Sequence, residues 1–239
     1  MKIIDAHAHI GYFGSFFDVG ITAEQLVRQM DEYSIEKTII CTLPNVDTKT
    51  AVEKFPERLL GIAWVNPADG DKSVREVYIA VRDWGFKGIK LHPLLHSFVA
   101  NESVVHPIAR AAEELDVPLF IHSGHPPYSL PWSIAQLAED FPAVKIVMVH
   151  MGHGHGVYIQ AAIAMALKYP NIYLETSGMP MHTKIKEAYE RVGGNRVMFG
   201  TDAPFHHPSV EIQRARVSGL GAGQLENLFY NNIKTLLRV

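Results

Sequence analysis

Eight short runs rich in apolar and β-branched residues recur along the chain, most of them followed by a segment with helical periodicity. The runs lie at 2–5, 37–42, 59–65, 86–91, 117–121, 144–149, 171–175 and 196–199. Between them, residues 22–33, 73–84, 102–115, 133–141, 157–169 and 182–192 place apolar side chains three and four apart, and 224–237 reads as a closing helix. Strand then helix, repeated, predicts a parallel sheet. Ile146-Val147-Met148-Val149 is apolar at every position, as expected of a strand with helices on one side and a packed interior on the other. Eight such units in 239 residues predict an α/β fold, a single (β/α)8 TIM barrel domain over residues 1–239. An open doubly wound sheet usually shows a glycine-rich phosphate turn after its first strand. Gly11-Tyr12-Phe13-Gly14 is a poor substitute for one.

Composition narrows the function classes. With 47% hydrophobic and 20% charged residues the chain has apolar surface enough for a large core. A net charge of −3 without any run of like charge argues against nucleic acid as a partner. No uncharged apolar run approaches the roughly 20 residues of a membrane span. The expectation is a soluble, cytoplasmic protein acting on a small molecule, with its oligomeric state unreadable. Cys41 stands alone inside an apolar run, where a buried structural thiol is expected.

The histidines are more telling. Eleven of thirteen fall at the predicted strand ends or in the loops after them, and in an α/β barrel those loops build the active-site face. In Asp5-Ala6-His7-Ala8-His9, two imidazoles at i and i+2 share one face of a strand and can chelate one ion. His122 and His150 each stand where a wholly apolar run stops. Asp202, in Gly200-Thr201-Asp202-Ala203-Pro204, follows the last strand. Each has a bland reading alone: loop histidines, a satisfied core imidazole, a helix cap. Together, at four strand ends of one barrel, imidazoles and a carboxylate suit a divalent transition metal with an open position.

On these motifs, together with Gly85-Phe86-Lys87-Gly88-Ile89-Lys90-Leu91-His92-Pro93, the chain resembles the amidohydrolase superfamily. It is most similar to the amidohydrolase-related branch that includes aminocarboxymuconate-semialdehyde decarboxylase-like enzymes. The resemblance implies one metal, zinc in the first instance with Mn²⁺, Fe²⁺ or Co²⁺ as alternatives, held by His7, His9, His122 and Asp202. It implies His150 as base or polariser near the metal water. Binuclear relatives carry a bridging carboxylated lysine or a glutamate on the fourth strand, where Lys90 stands here. The branch resemblance favours Lys90 as a cation for substrate or a structural partner. His92 and His125 are read as substrate contacts.

The chemistry expected from this set is hydrolysis. Metal-activated water would attack a small amide, lactone or ester, Asp202 taking its proton and His150 steadying the oxyanion. Decarboxylation of a small carboxylic acid is the alternative, and a non-catalytic metal-binding barrel a third reading. The aromatic stretch 12–17, with Tyr128 and Trp132, could wall a pocket or simply pack on the barrel.

Overall fold

A computed structural model describes residues 1–14 and 16–239, so Ser15 in the aromatic stretch lies outside the described residues. Its strands run parallel around a ring. Ile3–Ala8 pairs with Ile35–Ile40, which pairs with Leu59–Gly61. The third strand bends at Ile62 and continues as Ala63–Trp64 against Ile89–Leu91. Leu119–His122, Ile146–Val149, Ile172–Glu175 and Val197–Met198 follow in order. The bend has a local cause: the Asn45 side chain takes the place of a neighbouring strand at Trp64, accepting from its N–H and donating to its carbonyl, both at 2.8 Å.

Hydrogen bonds between the first strand and the segment around the eighth complete the ring. Ala6 N donates to Phe199 O at 3.0 Å, Asp202 N to His7 O at 2.7 Å and His9 N to Ala203 O at 2.6 Å. Closure therefore brings the HxH strand and the aspartate turn side by side.

Two apolar layers follow from the period-two alternation of the strands. Ile4, Ile39, Ile62, Phe120, Val147 and Met198 fill the barrel interior. Ile3, Ile89, Leu91, Leu119, Ile121 and Leu174 face the helices. Lys90 lies between two outward residues, His122 is two after inward Phe120, and Glu175 follows outward Leu174, so all three occupy inward positions. Helix Ala23–Glu32 shows how the outer layer is built: Leu26 and Met30, four apart, are buried, and Thr22 with Gln25 forms a capping box.

The sequence pattern missed some elements. Residues 7–21, expected as strand end and loop, contain an antiparallel hairpin of Gly11–Phe13 and Val19–Ile21. Helices Asn45–Lys54 and Pro208–Arg216 supply the βα partners of the second and eighth strands, which the eight-unit pattern required without marking their positions, and the closing helix is interrupted by a π turn at Asn227–Asn231. Among the described residues no helix is long and apolar enough to cross a membrane.

Candidate active site

The residues singled out in the sequence share one cavity of about 230 Å³ at the carboxyl ends of the strands. His7, His9, Lys90, His92, His122, His125, His150 and Asp202 all line it. His153 and His206 join them, so eight of the thirteen histidines face one space. His155 and His207 instead cap helices, and His106 packs against Phe141.

Asp202 is the focus. Its Oδ1 lies 3.3 Å from Nε2 of His7 and 3.3 Å from Nε2 of His9. Ligand atoms of His7, His150 and Asp202 all fall within 4.8 Å of one another. Burial opposes ionisation of Asp202, but His150, His7 and His9 outweigh it and hold the carboxyl well below its ordinary range. Burial holds His150, His122 and His92 far below the usual imidazole value, leaving lone pairs rather than charges. Tetrahedral ligands at 2.0–2.1 Å from a zinc-sized ion sit about 3.3 Å apart, so each of the two histidines stands from the Asp202 oxygen at the separation of two ligands of one divalent cation.

His122 is placed differently from the other members of the implied ligand set. Its Nε2 is 2.8 Å from His125 Nδ1, and its ring stacks on His92 with centroids 3.9 Å apart. Its potential ligand atom groups with those of His125 and His153, and the His150 ring bridges toward His7, with centroids 4.8 Å from His122 and 5.5 Å from His7. Lys90 is fully buried, its Nζ 3.2 Å from His7 Nε2, and burial lowers its pKa.

Two of these residues sit in strained backbone. Asp202 has φ 56° and His150 φ 67°, the left-handed region that few residues other than glycine enter and that clusters at functional sites. Asp5 braces the first: it accepts from His7 N at 3.1 Å, Thr201 N at 2.8 Å and the Thr201 hydroxyl at 2.6 Å, tying the HxH strand to the aspartate turn.

Sequence reasoning missed several contributors. Trp64 and Phe205 wall the cavity with Phe13 and Phe17, while Tyr12 and Phe16 face solvent and Trp132 packs on Tyr158 away from it. Cys41 is buried as expected, but its carbonyl is 2.7 Å and its Sγ 3.6 Å from His9 Nδ1, so it abuts the site. Trp64 could have been found as the end of the third apolar run, and Glu175 as a lone carboxylate closing the seventh.

A closed parallel barrel with histidines and an aspartate gathered at its carboxyl rim defines a TIM-barrel enzyme. The chain belongs to the amidohydrolase family, whose profile matches residues 4–239. It is 25% identical, over 87% of each sequence, to a gamma-resorcylate decarboxylase of Polaromonas sp.. An enzyme of the same name from a Rhizobium species is 24% identical over 64% of this chain and 62% of its own length. The fold matches 5-carboxyvanillate decarboxylase of Novosphingobium aromaticivorans, solved with manganese and 4-hydroxy-3-methoxy-5-nitrobenzoic acid, with a TM-score of 0.80 at 19% identity, covering 99% of this chain and 96% of that one. These relatives correct the expectation of hydrolysis: they are decarboxylases, and water attack on an amide, lactone or ester gives way to the alternative reading.

Proposed function

We propose that this protein is a divalent-metal-dependent decarboxylase of a small hydroxylated aromatic acid, with residues 1–239 acting as one barrel domain in the cytoplasm. The observation that carries the reading is the convergence of His7 and His9 on one oxygen of Asp202 in a cavity walled by Phe13, Phe17, Trp64 and Phe205. A flat ring fits between aromatic side chains, and a carboxylate with a neighbouring hydroxyl suits a cation. The names of the relatives support the same chemistry.

In this reading His7, His9 and Asp202 hold the ion, and His122 serves as a further ligand once its Nε2 leaves His125. An ion held there would supply positive charge to the oxygens of the acid. The reaction needs a proton at the ring carbon bearing the carboxylate. Its carbon–carbon bond then breaks, the electron pair returns to the ring, and CO₂ leaves. Asp202 and His150, both lining the cavity with lone pairs free, are the groups assigned to relay that proton, accepting it from the substrate hydroxyl or from solvent and passing it to the ring carbon. Lys90, His92 and His125, which line the same cavity, are assigned as substrate contacts.

The test is CO₂ release from 2,6-dihydroxybenzoate and 5-carboxyvanillate by protein loaded with Mn²⁺ or Zn²⁺. Saturable turnover that chelation abolishes supports the reading. Tight binding of these acids without CO₂ release would leave a binding barrel and overturn it.

A further inference from the structure

Glu175 and Ser177 have no part in the reaction as proposed, yet both are fully buried beside His150. Glu175 Oε2 accepts from the His150 backbone N–H at 3.1 Å and from the Ser177 hydroxyl at 2.7 Å, and Oε1 accepts from Ser177 N–H at 2.5 Å. A hydroxyl that has given its one proton to Glu175 can only accept at its remaining lone pairs. Ser177 Oγ lies 2.8 Å from His150 Nδ1, and the Ser177 carbonyl, also only an acceptor, lies 3.1 Å from the same nitrogen. The carbonyl can only accept whatever the protonation state of Glu175, so the ring proton sits at Nδ1, and the Ser177 hydroxyl is a second acceptor there when Glu175 is ionised. Nε2 is then the unprotonated nitrogen, left for the cavity that His150 lines.

We infer that Glu175 and Ser177 are positioning residues that hold His150 as its Nδ1–H tautomer with the Nε2 lone pair presented to substrate. The inference rests on the role proposed above for His150. Three features favour it over a plain turn brace. All three hydrogen bonds of the carboxylate go to His150 or Ser177. The N–H it holds belongs to a residue in left-handed backbone, a conformation that needs outside support. Gly200 leaves the space Glu175 occupies, since a Cβ there would collide with Oε1.

Ser177→Ala removes only the hydroxyl and Ser177→Thr keeps it. In manganese-loaded protein, Ser177→Ala is expected to lower kcat for 2,6-dihydroxybenzoate by about 10- to 100-fold with KM nearly unchanged. Ser177→Thr recovers most of that loss, and Glu175→Gln behaves like Ser177→Ala. Metal content and melting temperature of the serine variants stay at wild-type values. Independently of turnover, ¹⁵N shifts of His150 in zinc-loaded protein should report a protonated Nδ1 in the wild type and a larger Nε2–H fraction in Ser177→Ala and Glu175→Gln. A kcat within twofold of wild type for Ser177→Ala, a Ser177→Thr no better than Ser177→Ala, or a wild-type His150 protonated at Nε2 would each overturn the inference. If the wild type releases no CO₂, the decarboxylase reading fails, and the ¹⁵N shifts still decide the positioning.

Discussion

The Lys90 amine lies 3.2 Å from His7 Nε2, the same nitrogen that faces Asp202, and it does so with no exposed surface. Two nitrogens this close cannot both carry a proton aimed at the other, and burial already favours the uncharged amine. A cation bound at His7 competes with that amine for the imidazole lone pair. Lys90→Met, similar in length but without donors, is therefore expected to bind Mn²⁺ severalfold more tightly while losing at least tenfold in turnover, because the substrate carboxylate loses a partner. Titration calorimetry with Mn²⁺ checks the first half. A tenfold weaker affinity would show that Lys90 supports the ion instead of competing with it.

Removing either side of the His9–Asp202 pair should separate metal binding from folding. His9→Ala and Asp202→Ala are expected to drop bound metal to background and abolish turnover, with a cooperative melt retained, because the interior layer of Ile4, Ile39, Phe120 and Val147 does not involve them. His150→Ala keeps the metal and loses about 10²- to 10⁴-fold in kcat, the range for a lost proton-transfer group. Metal analysis beside kinetics decides it. Full metal content in both His9→Ala and Asp202→Ala would dismiss the ligand assignment.

The sequence made the barrel legible because period-two alternation and apolar runs are local signals, and the strand-end histidines marked the rim they would share. What stayed hidden is set by long-range closure or by side chains substituting for backbone. Nothing near Asn45 announces that its amide will pair with Trp64, nineteen residues on. Phe205 becomes a cavity wall only because the ring closes between Ala8 and Ala203. The HxH spacing predicted a shared face, and the two imidazoles do meet Asp202. That His122 would rest against His125, three residues on in its own loop, is set by the loop's conformation, which no apolar period records.

Buried titratable groups should limit stability from both sides of neutrality. Burial pushes Glu175 from 4.5 up to about 8. Between those values the folded chain keeps a proton that the unfolded chain gives up, so this group's contribution to stability is lost as pH rises toward 8. Burial pulls His153 the other way, from 6.5 to about 4, so its contribution is lost as pH falls through that window. The two slopes oppose each other between about 4.5 and 6.5, so the melting temperature is expected to stay level there, to decline above pH 6.5 toward 8 and to decline below about 4.5. Glu175→Gln should flatten the alkaline side and leave the His153 decline below pH 6.5 uncovered. An alkaline slope identical to wild type in that variant would assign the decline to other groups.

The approach of the two loops offers a last test. Gly124 has φ +107°, and a Cβ there would lie 2.6 Å from Gly152 C and 2.7 Å from His153 N, both backbone atoms that cannot swing aside. The Ser123 hydroxyl reinforces the clamp, donating to Val149 O at 2.7 Å and accepting from Gly152 N at 2.9 Å. Gly124→Ala therefore has to adopt a disfavoured φ and push the loops apart, and a loss of about 2–3 kcal/mol is expected from strain and overpacking together. The same displacement carries His125 away from His153, so substrate KM should rise while metal held by His7, His9 and Asp202 persists. Urea unfolding gives the stability change and kinetics the KM. A variant as stable as wild type with unchanged KM would mean that the loops can separate freely and that their contact does not shape the cavity.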